Sequence, residues 1–543
     1  MLHLMQCALN LATLVAVMLV GKAAFAEPSI IPQPVEMEAS QGTFTIHTQT
    51  NVVAHGEAVD EAQKLINVLA PALGYKLKLI NFIHSERDAI KLSLKRDLKG
   101  KLGDEGYTLT VTQKMIEVAA ARPSGLFYAI QTLRQLLSPD IYRGSKVPGV
   151  AWTLPCVRIT DYPRFGWRGL LIDPARHFIP KRDVMRYIDA MALHKFNRLQ
   201  IHFTDGQGWR IEIKKYPLLT DVGSRWHNQM SQLNDKGRIY GGYYTQEDIR
   251  ELVQYGAARY VTLVPEIEMP FHAGSAIVAY PKLGFNPEKL EALEPMQRLG
   301  KTGNLVVPRA YTVAFFKEVL DEVIEMFPSQ HIHIGGDEAN VDSWAKVPEM
   351  QTLMKDNDLA DVHELHSWFI KQMDAYITRR GRKMVGWGEI LQGGLAKNAT
   401  VMSWRSTVAG ITAAKAGNNV VMATTSHTYF DYRQSQNKEI EPGGFGGAVI
   451  DLAKVYTFEP IPDELSAEQT RRILGGQGQL WGELIPNERH REYQTYPRAC
   501  ALIETIWSPK QYRDYSQFHK RLEYHTKRLK AAGVYYRQLD PIP

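Results

Sequence analysis

The sequence predicts an α/β protein, a (β/α)8 TIM barrel preceded by a small α+β domain. Three observations carry this reading. The chain has 543 residues, too many for one small core and enough for two or three domains. After Pro163, short apolar runs alternate with amphipathic helical stretches, the rhythm of a parallel sheet covered by helices. Eight such runs can be read in order, and eight parallel strands close into a barrel.

The elements follow along the chain. Residues 8 to 20 are almost wholly apolar, Lys22 is the sole charge in the first 26 residues, and Ala24-Phe25-Ala26 is a small-x-small signal. Residues 1–26 are therefore expected to be a signal peptide cleaved after Ala26, with the protein exported to the periplasm or secreted. The stretch is short for a bilayer span, and an uncleaved anchor is the alternative, since the n-region lacks Lys and Arg. Residues 27–152 read as the α+β domain. EGYTLTV (105–111) alternates like a strand, and Leu126, Ile130, Leu133 and Leu137 in PSGLFYAIQTLRQLL follow a helical repeat.

Residues 153–543 read as the barrel. Its strand candidates are GLLID (169–173), RLQIHF (198–203), VTLVPEI (261–267), HIHIGG (331–336), KMVGW (383–387), TVMSW (400–404), VVMAT (420–424) and GQLW (478–481). DVMRYIDAMALHK, FFKEVLDEVIEMF and ELHSWFIKQMDAYITRRG are helices between them. The stretches 206–246 and 273–310 are expected to be loops over the barrel mouth. An open doubly wound sheet is the rival architecture, but no strand is followed by a glycine-rich phosphate loop.

Composition limits the function classes. The formal charge is +6, and +5 without Lys22. Basic residues are scattered among acids without a run or stripe, so nucleic acid is not an expected partner. No segment after the leader is long and apolar enough to cross a membrane, so no stable membrane insertion is expected after cleavage. Of three cysteines, Cys7 leaves with the leader, and Cys156 and Cys500 read as two buried thiols rather than a bridge.

In a barrel the chemistry gathers at the C-terminal ends of the strands. Read in order, those ends offer Asp173, Arg176 and His177; Asp205 and Trp209; Glu266, Glu268 and His272; Asp337 and Glu338; Trp387 and Glu389; Trp404; Tyr429 and Asp431; and Trp481 and Glu483. One tryptophan alone is ordinarily core packing, and one carboxylate alone is ordinarily a cap or a surface ion pair; Asp173 and Glu266 read that way. Three indoles at equivalent positions among many carboxylates suit a sugar, whose hydroxyls donate to acids and whose apolar face covers an indole.

His331 and His333 share one strand face and, with Asp337, raise a metal site as an alternative. They precede the strand end, no His-x-x-x-His helix or cysteine set joins them, and no metal or other cofactor is expected. His333 reads instead as a buried, hydrogen-bonded histidine. Asp337 and Glu338 pose a separate problem. A glycosidase ordinarily sets two carboxyls about 5–5.5 Å apart for retention, or about 6.5–9.5 Å for inversion, on opposite sides of the scissile bond. Neighbours at one strand end can hardly flank an anomeric carbon, so the two acids must divide the work in another way.

HIGGDEAN, with RGLLIDPARHF, IHFTDGQGWRI, VPEIEMPFH, VGWGEI and LWGE, resembles the family 20 glycoside hydrolases, the β-N-acetylhexosaminidases. The likeness runs from about residue 30 to the end, and IIPQP, EGYTLTV and GLFYAIQTLRQLL resemble that family's N-terminal α+β domain. The resemblance implies retaining, exo-acting hydrolysis of terminal β-linked N-acetylglucosamine or N-acetylgalactosamine from oligosaccharides or glycoconjugates. The substrate's own acetamido carbonyl would attack the anomeric carbon. It implies Glu338 as general acid and base, Asp337 as the carboxylate that orients the acetamide, and Tyr429 as the hydroxyl on the acetamido oxygen. It further implies Trp387, Trp404 and Trp481 as pocket walls, Arg176, Asp431 and Glu483 as holders of sugar hydroxyls, and Asp205 and His272 as partners near the acid. The pair's chemistry predicts a raised pKa for Glu338 and an ionised Asp337. Phe271, where the family more often has Gly, is expected to narrow the leaving-group side. Glu268 stands where Asp is commoner and Gly206 where Asp is commoner, and Phe445 is the nearest aromatic to a further expected pocket wall.

Overall fold

The computed structural model describes residues 28–82, 87–227, 239–298, 301–437, 439, 441–445 and 448–540. The leader reading, with its cleavage point and Cys7, lies outside the described residues. The chain builds two sheets. The first is seven-stranded, in the order Glu36–Thr45, Thr153–Asp161, Tyr107–Val111, Met115–Ala120, Ala89–Leu94, Asn51–Val53 and Lys78–Ile80. Thr153–Asp161 falls on the barrel side of the division read at residue 152, yet it hydrogen-bonds within this sheet to Glu36–Thr45 and Tyr107–Val111. Nothing in TLPCVRITD marks which sheet it joins; its antiparallel partners decide.

Helix Val59–Leu73 covers this sheet with Ala62, Leu65, Ile66 and Leu69 buried, three or four residues apart on one face. Gly74, at φ 77°, closes it with an N–H to Ala70. Helix Pro123–Leu136 places proline in its first turn, where no N–H is missed, and buries Leu126, Ile130 and Leu133.

The second sheet is a closed barrel of eight parallel strands. In chain order they are Trp167–Ile172, Arg198–His202, Thr262–Glu266, His331–His333, Lys383–Trp387, Thr400–Ser403, Val420–Met422 and Ile473–Gly478. Helices such as Lys181–Leu193, Ala310–Met326 and Val362–Arg379 return the chain along its outside. Seven strands fall on their expected runs, give or take a few residues at the ends. The eighth is Ile473–Gly478, ending where GQLW was expected to begin. ILGGQG carries little apolar signal because the strand trades side chains for close approach: a Cβ on Gly475 would lie 1.9 Å from the Trp167 carbonyl oxygen of the neighbouring strand.

The barrel interior is packed rather than hollow. Trp167, Leu171, Val264, Val385, Trp387, Met402 and Val421 form its apolar fill. A polar thread runs through it. Trp167 Nε1 donates to Gln477 Oε1 at 3.0 Å, Gln477 donates to Gln200 at 2.7 Å, Gln200 donates to Glu266 at 2.9 Å, and Trp387 Nε1 closes on Glu266 at 2.9 Å. Every link is buried and paired, as a polar group in this environment requires.

The two sheets meet at the N-terminal end of the barrel strands. Arg168 reaches Glu105 with both terminal nitrogens, at 2.9 and 2.8 Å. Lys195 donates to Asp161 at 2.8 Å, and Asp161 also accepts from Tyr107 at 2.7 Å and Trp507 at 2.9 Å. Cys156 and Cys500 are both buried and both free.

Candidate active site

The strand carrying HIH ends in a run of left-handed backbone. Gly335 has φ 68°, Gly336 φ 90° and Glu338 φ 55°. A Cβ on Gly335 would lie 1.7 Å from Glu268 Oε2, so only glycine lets the chain turn here. The turn also answers how adjacent acids can cooperate. Off the strand they no longer alternate, and both face one imidazole: His272 Nε2 lies 3.7 Å from Asp337 Oδ2 and 3.5 Å from Glu338 Oε2. They differ in setting. The Asp337 side chain is 10% exposed and that of Glu338 is 44% exposed.

That difference reverses the expected titration in the free protein. Burial, helped by Glu389 and Glu266, pushes Asp337 up to about 6. The hydrogen bond with His272, with Arg405 beyond it, holds Glu338 below the ordinary glutamate value. The sequence expectation failed because it assumed a covered Glu338. Its left-handed backbone instead swings it to the rim, within 3.6 Å of Arg405.

Beneath the pair lies a charged lattice. His272 Nδ1 stands 3.2 Å from Asp205, His202 Nε2 stands 3.1 Å from the same carboxylate, and Arg176 reaches it at 2.6 Å. Burial opposes charge on both histidines, but Asp205 lifts His272 to about 11, and Glu266 with Asp205 lifts His202 to about 9. Against its own burial, Asp205 is held well below the usual carboxylate range by Arg176 and His272. Arg176 is fixed further by Asp173 at 2.8 Å and approaches Glu483 at 3.7 Å.

Tryptophans and a tyrosine wall the cavity above. Trp387 and Trp481 meet at 5.7 Å between ring centres, Trp404 stacks on Tyr429 at 6.1 Å and 19°, and Arg176 lies over Trp481 at 5.2 Å. Trp404 is anchored by Nε1 to Glu389 at 2.8 Å. The pocket has a volume of 160 Å³. It brings together Arg176, His272, Asp337, Glu338, Trp387, Trp404, Tyr429, Asp431, Trp481 and Glu483, every expected site residue except Asp205, which lies just under the lining. Trp209 and His177 are strand-end residues that the pocket does not recruit. Trp209 is buried with its Nε1 on the Ile211 carbonyl, and His177 bonds the Gly482 carbonyl.

The structure adds groups that the sequence reading left without a role. His202 and Glu268 form the floor, and Tyr432 and Phe445 form part of one wall. Phe445, the nearest aromatic to the further wall that the sequence predicts, packs 6.4 Å from Tyr432. Phe271 does not line the pocket; its ring packs on His272 at 4.6 Å and it joins an apolar cluster with Leu305 and Trp344. Burial and three neighbouring carboxylates keep Glu268 protonated far above the ordinary range. His333 is fully buried and accepts the Gly335 N–H at 3.0 Å, while His331 packs edge-on against Trp167 at 5.2 Å. They do not join Asp337. Three other groups bring ligand-type atoms within 4.8 Å of one another: His272–Asp337–Glu338 and His202–Glu266–Glu268 at the pocket, and His194–Cys500–His525 outside its lining.

The chemical character of the cavity follows from its unpaired atoms. Asp337 Oδ1, Asp431 Oδ1, Glu483 Oε2 and both Glu268 oxygens are buried without a hydrogen-bond partner. Burial beside Glu483 raises Asp431 well above its usual range, and burial raises Glu483 itself. Such atoms are costly to leave unsatisfied. A ligand rich in O–H and N–H donors, with an apolar face for the indoles, would satisfy them.

Residues 165–510 match glycosyl hydrolase family 20, catalytic domain, and residues 27–162 match glycosyl hydrolase family 20, domain 2. A beta-hexosaminidase of Porphyromonas gingivalis is 37% identical over 94% of this chain, which spans 64% of that relative's length. A beta-hexosaminidase of Vibrio furnissii is 33% identical, covering 87% of this chain and 76% of the relative. Among solved structures, the GH20 exo beta-N-acetylglucosaminidase of Vibrio harveyi in complex with N-acetylglucosamine superposes with a TM-score of 0.83 at 31% identity, covering 94% of this chain and 78% of that one. The GH20 beta-N-acetylhexosaminidase of Streptomyces coelicolor gives 0.81 at 28% identity, covering 95% and 100%.

Proposed function

The chain belongs to glycosyl hydrolase family 20, and from that premise we propose that it is a retaining exo-β-N-acetylhexosaminidase that uses its substrate's acetamido group as the nucleophile. The observation that carries the proposal is the buried Asp337, its Oδ1 free, beside the exposed Glu338 in a tryptophan-walled pocket. One acid is placed for a group on the sugar and the other for the leaving oxygen.

In the proposed reaction a terminal sugar seats its apolar face on Trp481 and Trp387, and its hydroxyls donate to Asp431 and Glu483. The N-acetyl group lies between Trp404 and Tyr429. Asp337 accepts its N–H, aligns its carbonyl oxygen with the anomeric carbon and stabilises the positive oxazolinium-like ring. Glu338 protonates the departing oxygen and then takes a proton from the attacking water. Arg176, Asp431 and Glu483, gathered in one lining, would hold the hydroxyls of a terminal sugar, which supports action at a chain terminus.

The free-protein titration fits this sequence of events. Glu338 is charged by His272 and Arg405 while open to solvent. A bound sugar covers it, removes water and raises its affinity for a proton. The substrates proposed are amino-sugar oligosaccharides or glycoconjugates. Among the described residues no helix is long and apolar enough to cross a membrane. The leader reading supports export, tested by N-terminal sequencing of the mature protein, which should begin at Glu27.

The test of function is nitrophenol release from nitrophenyl β-N-acetylglucosaminide, with the β-glucoside as control and with and without a chelator. Turnover confined to the acetamido sugar, with β-configured product by NMR, is the expected result. No turnover would leave a silent sugar-binding protein, and loss on chelation would restore a metal-dependent hydrolase. Asp337→Ala should lower kcat by about 10²–10³-fold, the scale of losing one electrostatic stabiliser, without rescue by azide.

A further inference from the structure

A second cleft lies at the far end of the barrel. Ala190, Ala192 and Leu193 line it. They sit in the last turn of helix Lys181–Leu193, which leads the chain back to the N-terminal end of a barrel strand, opposite the sugar pocket. Its other wall is the first unit, through helix Pro123–Leu136 and the turn Pro139–Tyr142, and its volume is 550 Å³.

Inside it, the Arg134 guanidinium lies over the Tyr142 ring at 4.3 Å. One Arg134 nitrogen, NH1, donates to Gln131 at 3.1 Å. Arg134 Nε and the Tyr142 hydroxyl are both buried without a hydrogen-bond partner, and Tyr142 is 8% exposed. The other cations lining the cleft each hold a carboxylate: Lys64 holds Glu61 at 2.7 Å, Arg143 holds Asp140 at 2.7 Å, Arg186 holds Glu492 at 2.8 Å, and Arg259 holds Asp189. Among the described residues no carboxylate is paired with Arg134.

A buried N–H of a guanidinium is costly to leave without an acceptor. Here Asp189 of the same cleft acts on Arg134 only through space, its oxygens being held by Tyr255 and Arg259, and it leaves the buried Nε–H and the hydroxyl of the stacked Tyr142 ring without partners. We propose that this interdomain cleft is an oxyanion-binding site, with Arg134 Nε and the Tyr142 hydroxyl as its donors, and that it takes a phosphate, sulfate or carboxylate group. Guanidinium N–H groups match such oxygens in charge and geometry. The ring stack holds the guanidinium in place before the anion arrives. The cleft has room beyond one tetrahedral ion, so the group can be free in solution or a substituent on a sugar. Bound there, it would favour the folded state.

The test uses the full chain, with inorganic phosphate, sulfate and a hexose 6-phosphate as probes against sodium chloride at equal ionic strength. Calorimetric titration should show saturable binding, and the melting temperature should rise with each probe but not with chloride. Tighter binding of the hexose phosphate assigns the site to an acidic sugar; equal binding assigns it to the free ion. Arg134→Gln should weaken binding on the order of tenfold or more, as loss of a charge-assisted contact does. Tyr142→Phe, which keeps the ring, should weaken it less. Both variants should keep turnover of the nitrophenyl substrate. No binding beyond chloride, undiminished binding in both variants, or a crystal structure in phosphate with only water on Arg134 Nε would overturn the proposal.

Discussion

Asp337 and Glu338 are adjacent in sequence and opposite in environment, and this has a kinetic consequence. In the free protein Asp337 titrates at about 6 and Glu338 below its ordinary value, so the proposed working form, Glu338 protonated and Asp337 ionised, is the minor arrangement of one proton on the pair. The sign follows directly. Above about pH 6 the pair loses that shared proton, so kcat/KM, which reports the free enzyme, should fall. The profile of kcat, which reports the covered Glu338, should hold to higher pH. A kcat/KM that stays flat from pH 6 to 8 would contradict this. Gly335 supplies a second residue-scale prediction. Alanine there would meet Glu268 Oε2 at 1.7 Å and must hold φ 68°. Gly335→Ala should cost roughly 1–2 kcal/mol from the left-handed backbone alone, with more from the clash, and should lower turnover more than tenfold; thermal melting and an initial-rate assay check both. The sequence HIGGDEAN contained the acids and the glycines that turn them. It did not contain their exposures, which are set by Glu268, His272 and Arg405 from other parts of the chain.

At the scale of the element, a strand end works as a mount. The fifth barrel strand ends at Trp387, and the 3-10 turn Gly388–Leu391 follows at once. Glu389 in that turn accepts from Trp404 Nε1 at 2.8 Å and from Arg405 Nε at 2.8 Å. It therefore fixes a pocket wall and the guanidinium beside Glu338 together. Glu389→Gln leaves one acceptor oxygen for two donors and should raise KM on the order of tenfold, the scale of one charge-assisted bond, with a smaller change in kcat. Equal kinetics with the wild type would show that the wall stands without it. The period-two and helical patterns located these strands and helices because burial on one face leaves a trace in every residue. The eighth strand escaped because Gly475, Gly476 and Gly478 in ILGGQG leave few side chains to carry such a trace, and its register comes from contact with Trp167–Ile172.

At the scale of the molecule, the barrel and the first sheet are joined by charges with no access to water. The side chains of Lys195 and Asp161 are both 0% exposed and 2.8 Å apart. Burial lowers the Lys195 pKa and Asp161 opposes that fall. Removing one partner strands the other, so Lys195→Met should destabilise the protein by roughly 3–5 kcal/mol, measured by urea unfolding. A loss below about 1 kcal/mol would mean that Tyr107 and Trp507 alone suffice for Asp161. The sequence by itself determined the barrel class, seven of its eight strands and the acids, indoles and glycines of the pocket, because periodicity and strand-end chemistry are local properties. Only the tertiary structure decided which acid is buried, which ring is a wall, and that Thr153–Asp161 pairs in the first sheet. Each of these depends on what distant segments bring within a few ångströms, and desolvation and charge act through that distance rather than along the chain.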